Sequence, residues 1–238
     1  MASRLLHILA PLAALTAFGL VSCQASSEPE ESVKPGINEP FLDASDEDIE
    51  KFVNIFEGES REISTARKEI VAALNIQPGM DLGDIGAGTG LFEPQFQKEV
   101  GADGTVFAVD LSPKMLEYLR NRVVEEKLDR VVVMSCTETD CGLPENSVDM
   151  IFICDTYHHF EFPQTTLGTL KRALRPGGTL AIVDFERVPG VSREWVLNHV
   201  RAGKEETRNE IEAAGFEFLA EPKVDGLEEN YLILFRRP

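Results

Sequence analysis

Three short segments of the chain bring together residue types that can do chemistry. The first is Asp84-Ile85-Gly86-Ala87-Gly88-Thr89-Gly90. Glycines at alternate positions let the backbone turn tightly and bring its amide groups close to a ligand. The second is Asp110, closing the apolar run 106–109. A carboxylate at a strand's carboxyl edge offers two oxygens to the two hydroxyls of a ribose. The third is Asp155-Thr156-Tyr157-His158-His159-Phe160, directly after the apolar run 148–154. There Tyr157, His158 or His159 can orient a substrate or accept a proton.

The spacing of the glycines narrows the ligand. A dinucleotide fingerprint counted from Gly86 needs its third glycine at position 91, which is Leu91, and this disfavours an NAD-dependent oxidoreductase. The segments lie in an alternating pattern that can position them. Residues 80–85, 105–109, 131–134, 148–154 and 179–183 read as strands. Residues 91–100, 112–126, a stretch opened by Pro163, and 205–214 read as helices. A closing strand pair is expected at 216–219 and 231–235. Such alternation predicts a mostly parallel sheet with helices on both faces. Ahead of it, Ser45 and Asp48 have the spacing of a capping box before Ile49, Phe52, Val53 and Phe56. A further helical pattern carries Ile63, Ala66, Ile70 and Leu74. Glu59, Arg61 and Arg67 precede the first strand; the arginines suit a carboxylate of a cofactor or of an acidic substrate, and the favoured expectation is a helix-surface charge network. Arg175-Pro176-Gly177-Gly178 reads as a turn.

Charge and termini bound the partners. With 23 Lys and Arg against 41 Asp and Glu, the formal net charge is −18. Such a surface repels phosphate backbones, so a small molecule fits better than a nucleic acid. Residues 1–23 read as a signal peptide, with Arg4 before an apolar run, and Leu20-Val21-Ser22-Cys23 resembles a bacterial lipobox. The expectation is an exported, periplasm-facing lipoprotein anchored through Cys23, with a cytoplasm-facing anchor as the alternative. Residues 24–44 are rich in Ser, Pro and acid and read as a disordered tether. Residues 45–238 form the expected domain. Cys136 and Cys141 are spaced for a short-loop disulfide in an oxidising compartment, and Cys154 for a buried apolar position. There is no CxxC pair, and no further ligand cluster accompanies Asp155 and the paired histidines, so no metal is expected.

Taken in order, DIGAGTG, AVDLSPKML, LPENSVDMIF and LKRALRPGGTLAIVDF resemble the class I S-adenosylmethionine-dependent methyltransferases from about residue 59 to the C-terminus. The resemblance implies a Rossmann-like three-layer α/β sandwich of about seven strands, the last antiparallel. It implies S-adenosylmethionine across the carboxyl ends of the first strands. Gly86, Gly88 and Gly90, with Ala87 between them, would face its methionine part, Asp84 would help orient it, and Asp110, followed by Leu111, would hold the ribose. Many relatives carry Gly-Asp after the third strand, the acid meeting the adenine amino group. Here the stretch is Cys136-Thr137-Glu138-Thr139-Asp140, with Thr137 in the acid's place and Glu138 or Asp140 as substitutes. Asp155 would bind the cofactor's amino group. The implied function is methyl transfer to a small-molecule acceptor. The alternative is a non-catalytic, envelope-tethered binding protein that reuses the fold.

Overall fold

The computed structural model describes residues 29–58 and 61–238. The signal segment and Cys23 lie outside the described residues, as does Glu59. Four short helices come first: α1 (Glu39–Leu42), α2 (Asp46–Phe56), α3 (Glu62–Thr65) and α4 (Arg67–Leu74). Then strands and helices alternate: β1 (Asp81–Ile85), α5 (Glu93–Val100), β2 (Thr105–Asp110), α6 (Pro113–Glu125), β3 (Val131–Ser135) and β4 (Val148–Cys154). A single 3-10 turn (Tyr157–His159) leads to α7 (Pro163–Ala173) and β5 (Leu174–Phe185). The chain finishes with α8 (Glu194–His199), α9 (Lys204–Ala213), β6 (Glu217–Ala220) and β7 (Asn230–Arg236).

The seven strands form one sheet in the order β3-β2-β1-β4-β5-β7-β6. The first five are mutually parallel, and β7 runs antiparallel to both its neighbours. The α/β three-layer architecture is therefore the one expected. The parallel strands are buried on both faces, which is why β4 reads as an unbroken apolar run. Leu82, Phe96, Val106 and Phe152 pack on one face, and Ile151, Ile153, Leu170 and Phe235 on the other. The chain leaves β1 toward β2 on one side and reaches β4 on the other. This reversal opens a crevice at the carboxyl ends of β1 and β4, where all three chemistry-bearing segments arrive.

The structure differs from the sequence reading in four places. The helix expected around Ile63–Leu74 breaks at Ala66, whose N–H closes α3 on Glu62 O at 2.7 Å. The expected turn 175–178 lies within β5 as a bulge, because β4 pairs with both Leu174 and Thr179. Helix α8 lies in a stretch without helical periodicity. The stretch read as tether is seated on the body from residue 30 onward. Glu30 caps α7 by accepting from Gln164 N and Thr165 N at 2.9 and 2.7 Å, and Glu161 accepts from Ser32 Oγ and Gly36 N. A carboxylate at a helix N-terminus is stabilised by free N–H groups and the helix dipole, and the burial of Ile37 and the stacking of Phe41 on Phe52 add apolar contacts. The Ser45 capping box forms as its spacing predicts. Cys136, Cys141 and Cys154 are all free thiols. Among the described residues, no helix is long and apolar enough to cross a membrane.

Candidate active site

The glycine loop is fixed to the neighbouring strand before any ligand arrives. Gly86 N and Ala87 N donate to Val109 O at 2.8 and 3.0 Å. Gly86 has φ +75°, and a Cβ there would fall 2.4 Å from the Thr156 side chain, so the position admits only glycine. Gly88 N–H donates to Asp110 Oδ2 at 2.8 Å, and Ser112 N–H donates to Oδ1 at 2.8 Å. A carboxylate has about four acceptor positions, so roughly two remain for ligand hydroxyls. Burial raises the Asp110 carboxyl above its ordinary pKa, while the N–H groups of Ser112 and Gly88 oppose the rise. Asp84, Gly86, Ala87, Gly88, Asp110 and Leu111 all line one cavity of about 860 Å³. Gly90 is not among its lining residues. A Cβ there would sit 2.9 Å from Leu119 Cδ2, so this glycine serves helix packing rather than ligand approach.

Beneath the loop, Asp84 stands against Glu93, a residue that the sequence reading missed. Both are buried. Burial, then the neighbouring Glu93 charge, raises Asp84 well above the usual carboxylate range, and burial lifts Glu93 to about 7. Two buried carboxyls so placed disfavour being ionised together. After β3, Thr137 Oγ1 accepts the N–H groups of Thr139 and Asp140 at 3.3 and 3.0 Å, closing a tight turn. Asp140 Oδ1 accepts from Gly142 N at 2.8 Å and lies outside the cavity lining. Of the two candidate acids, only Glu138 lines the cavity, within 3.5 Å of Asn38 Nδ2.

Asp155 lies at the centre of the cleft with φ +47°, a strained backbone for a residue with a side chain. Its Oδ1 accepts from Asn230 Nδ2 at 2.5 Å, and its Oδ2 is ion-paired with Arg61. Arg61 also donates to Phe56 O at 3.1 Å. The expectation of a surface charge network at Arg61 is overturned: its side chain is about three-quarters buried and lines the cavity. Arg67 instead donates to Ser64 O.

The three candidates after β4 separate cleanly. Tyr157 is fully buried and outside the cavity lining, with its hydroxyl donating to Glu210 Oε2 at 2.6 Å and Arg201 stacked over its ring. Burial holds that phenol far above its ordinary pKa, so Tyr157 anchors α9 and is withdrawn as a catalytic candidate. His158 and His159 both line the cavity. Asp184, at the end of β5, accepts from His158 N–H at 3.1 Å and from ring Nδ1–H at 2.7 Å. This fixes the ring and leaves Nε2 as the free nitrogen. A third imidazole, His199 from α8, brings its Nε2 to 3.4 Å from His159 Nε2. Burial lowers His159 to about 2 and His199 to about 4, so both rings are neutral. Phe185 and Trp195 wall this end, Trp195 stacked on His199 with centroids 4.7 Å apart. The sequence reading passed over His199 and Asp184, which lie 40 and 26 residues from the histidines they meet.

A family model described as a methyltransferase domain matches the chain over part of this architecture. It covers residues 83–182. The solved S-adenosylmethionine-dependent methyltransferase of Aquifex aeolicus is 26% identical, with a TM-score of 0.71 over 82% of this chain and 100% of that one. A methyltransferase from Haloferax volcanii, solved with an activator protein, has a TM-score of 0.69 at 19% identity, over 83% and 97% of the two chains, and shows the shared fold. Among curated proteins, the ubiquinone/menaquinone biosynthesis C-methyltransferase of Burkholderia orbicola is 29% identical over 121 residues, 50% of this chain and 48% of the relative. That of Cupriavidus metallidurans is 26% identical over 118 residues, with the same coverage. The chain thus spans about half the length of the curated relatives it matches. S-adenosylmethionine is the cofactor of the Aquifex aeolicus neighbour, and the cleft has groups suited to its ribose and methionine parts. Asp110 has free acceptor positions for a diol, and the Arg61–Asp155 pair offers opposite charges to a zwitterion.

Proposed function

We propose that this protein is an S-adenosylmethionine-dependent methyltransferase whose acceptor is a small, planar molecule seated against His158, His159 and His199. The observation that carries the reading is the continuity of one cavity from Asp110 to the histidines. A cofactor held at one end can therefore present its methyl group to an acceptor held at the other. Asp110 takes the ribose hydroxyls, with Leu111 beside it. Glu138 and the Thr137 turn meet the adenine edge. Gly86, Ala87 and Gly88 let the methionine part pass close to the backbone, their own N–H groups being held by β2. Arg61 takes its carboxylate and Asp155 its ammonium group, while the Asp84–Glu93 pair supports the loop from below.

The sulfonium of the bound cofactor supplies the activated methyl group, so the protein's work is alignment and proton removal. Phe185 and Trp195 present ring faces and edges, which suit a planar acceptor. His158 Nε2, oriented through Nδ1 by Asp184, is placed to take the proton of a hydroxyl, thiol or amine as it is methylated. The test is transfer of labelled methyl from S-adenosylmethionine to a panel of phenols, quinols and aromatic thiols. Label in at least one aromatic product supports the reading. Binding of S-adenosylmethionine with no transfer to any acceptor class would count against catalysis.

A further inference from the structure

The three histidines at the acceptor end have a geometry that a proton-accepting role does not require. One nitrogen from each of His158, His159 and His199 lies within 4.8 Å of the other two. The two rings that approach most closely put Nε2 of His159 and His199 3.4 Å apart. Two imidazole nitrogens, each about 2.05 Å from a tetrahedral zinc ion, lie about 3.3 Å from one another. His159 Nδ1 is buried without a hydrogen-bond partner among the described residues, and the ring's polar contact is through Nε2 to His199. Asp184 holds Nδ1 of His158 at 2.7 Å, the arrangement in which an outer carboxylate fixes the tautomer and raises the basicity of a ligating imidazole. Phe41, Phe185 and Trp195 pack against the three rings and give the cluster an apolar jacket.

We propose that His158, His159 and His199 bind one divalent transition-metal cation of the zinc type, with its remaining coordination position open to the acceptor pocket. Three imidazoles select zinc and its first-row neighbours over magnesium or calcium, which require oxygen ligands. Three protein ligands with a fourth position free are the arrangement of catalytic rather than structural zinc. The spread of 4.8 Å exceeds the tetrahedral spacing, so the cation draws the third ring inward; His199, on the six-residue helix α8, is the ring on a separate element.

The role of the cation, though not its binding, rests on the methyltransferase reading. An acceptor hydroxyl or thiol that coordinates the cation loses its proton to water, and His158 is then a ligand rather than a base. The resulting oxygen or sulfur anion forms a bond to the methyl carbon. The cofactor's sulfur–carbon bond breaks, and its electron pair stays on the now neutral sulfur.

The test uses the full chain purified without a histidine tag, titrated with Zn2+ by calorimetry and with Co2+ by visible absorption. The expected result is one cation per chain and the intense d–d bands of tetrahedral Co2+. His199→Ala is expected to weaken Zn2+ binding by more than ~100-fold, since loss of an outer-shell partner alone costs about 10–100-fold, the loss expected for Asp184→Asn. His199→Gln, which keeps a polar side chain of similar reach, serves where the alanine variant loses its far-UV circular dichroism. A folded wild-type chain that binds neither ion, or Zn2+ affinity unchanged in the histidine variants, overturns the site. S-adenosylmethionine binding is measured separately. Cofactor binding without metal removes this inference alone, whereas metal without cofactor keeps the site and removes the methyltransferase reading.

Discussion

The two ends of the cleft are built by different means. At the glycine-loop end, the loop after β1 is tied by backbone N–H groups to β2, while Arg61, Glu138 and Asp155 reach the same cleft from other segments. Gly86 N, Ala87 N and Gly88 N are all committed to β2 partners. At the acceptor end, side chains from four separate places converge: the turn after β4, the end of β5, helix α8, and Phe41 of α1. The loop at the first end has those N–H groups satisfied by the adjacent strand β2. The second depends on the packing of α8 and the N-terminal segment, which Lys34 ties to the carbonyls of Asn198 and His199. A fold that keeps the first end and varies the second can keep one cofactor while changing acceptors.

If the two ends work as distinct units, mutations should separate them. The largest effect is expected for His158→Ala, which should lower kcat by ~10²–10⁴-fold, the usual contribution of a positioned acid–base group. Its S-adenosylmethionine affinity, measured by calorimetry, should stay within about twofold. A matched loss of cofactor binding would show that the ends are one unit. Gly86→Ala should act at the other end through stability. The added methyl meets Thr156 at 2.4 Å in a backbone conformation with φ +75°, at a cost of about 3 kcal/mol. For a chain of this size that is a fall in Tm of about 6–12 °C by calorimetry.

The smallest effect sharpens the account of the loop's support. Glu93 is an acid whose folded pKa is raised to about 7 from an ordinary 4.5, so the native state binds its proton more tightly than the unfolded chain. Its contribution is complete below about 4.5 and is lost as pH rises through about 7. Glu93→Gln keeps a neutral side chain at every pH. The variant should match wild type near pH 4.5 and be the more stable of the two at pH 8, read from urea midpoints. A stability difference independent of pH would show that Glu93 carries no displaced proton.

The same contrast explains what could be read from the chain before folding. The place of the glycine loop and Asp110 at the carboxyl edge of the sheet was legible from local spacing, as were the strands, whose double-sided burial writes itself as apolar runs. The His199 contact was not legible. Nothing in a six-residue helix at positions 194–199 signals that its last residue will face a turn 40 residues earlier. Tyr157 was misassigned for the converse reason: adjacent residues of a 3-10 turn point in different directions, and only the turn decides which enters the cleft. Arg61 and the segment 30–42 depended on charges meeting their partners across the fold, which composition alone does not encode.

The central claim is that Asp110 and the glycine loop form a ready S-adenosylmethionine site. Calorimetric titration of S-adenosylmethionine into the full chain, beside Asp110→Asn and Asp110→Ala, tests it most directly. Asp110→Asn retains one acceptor oxygen and should bind about 10-fold more weakly. Asp110→Ala should lose about 100-fold, as two hydrogen bonds to a charged acceptor disappear. Micromolar binding with that graded loss is the result the structure predicts. Equal affinity in all three proteins, or no binding to the folded wild-type chain, would contradict it.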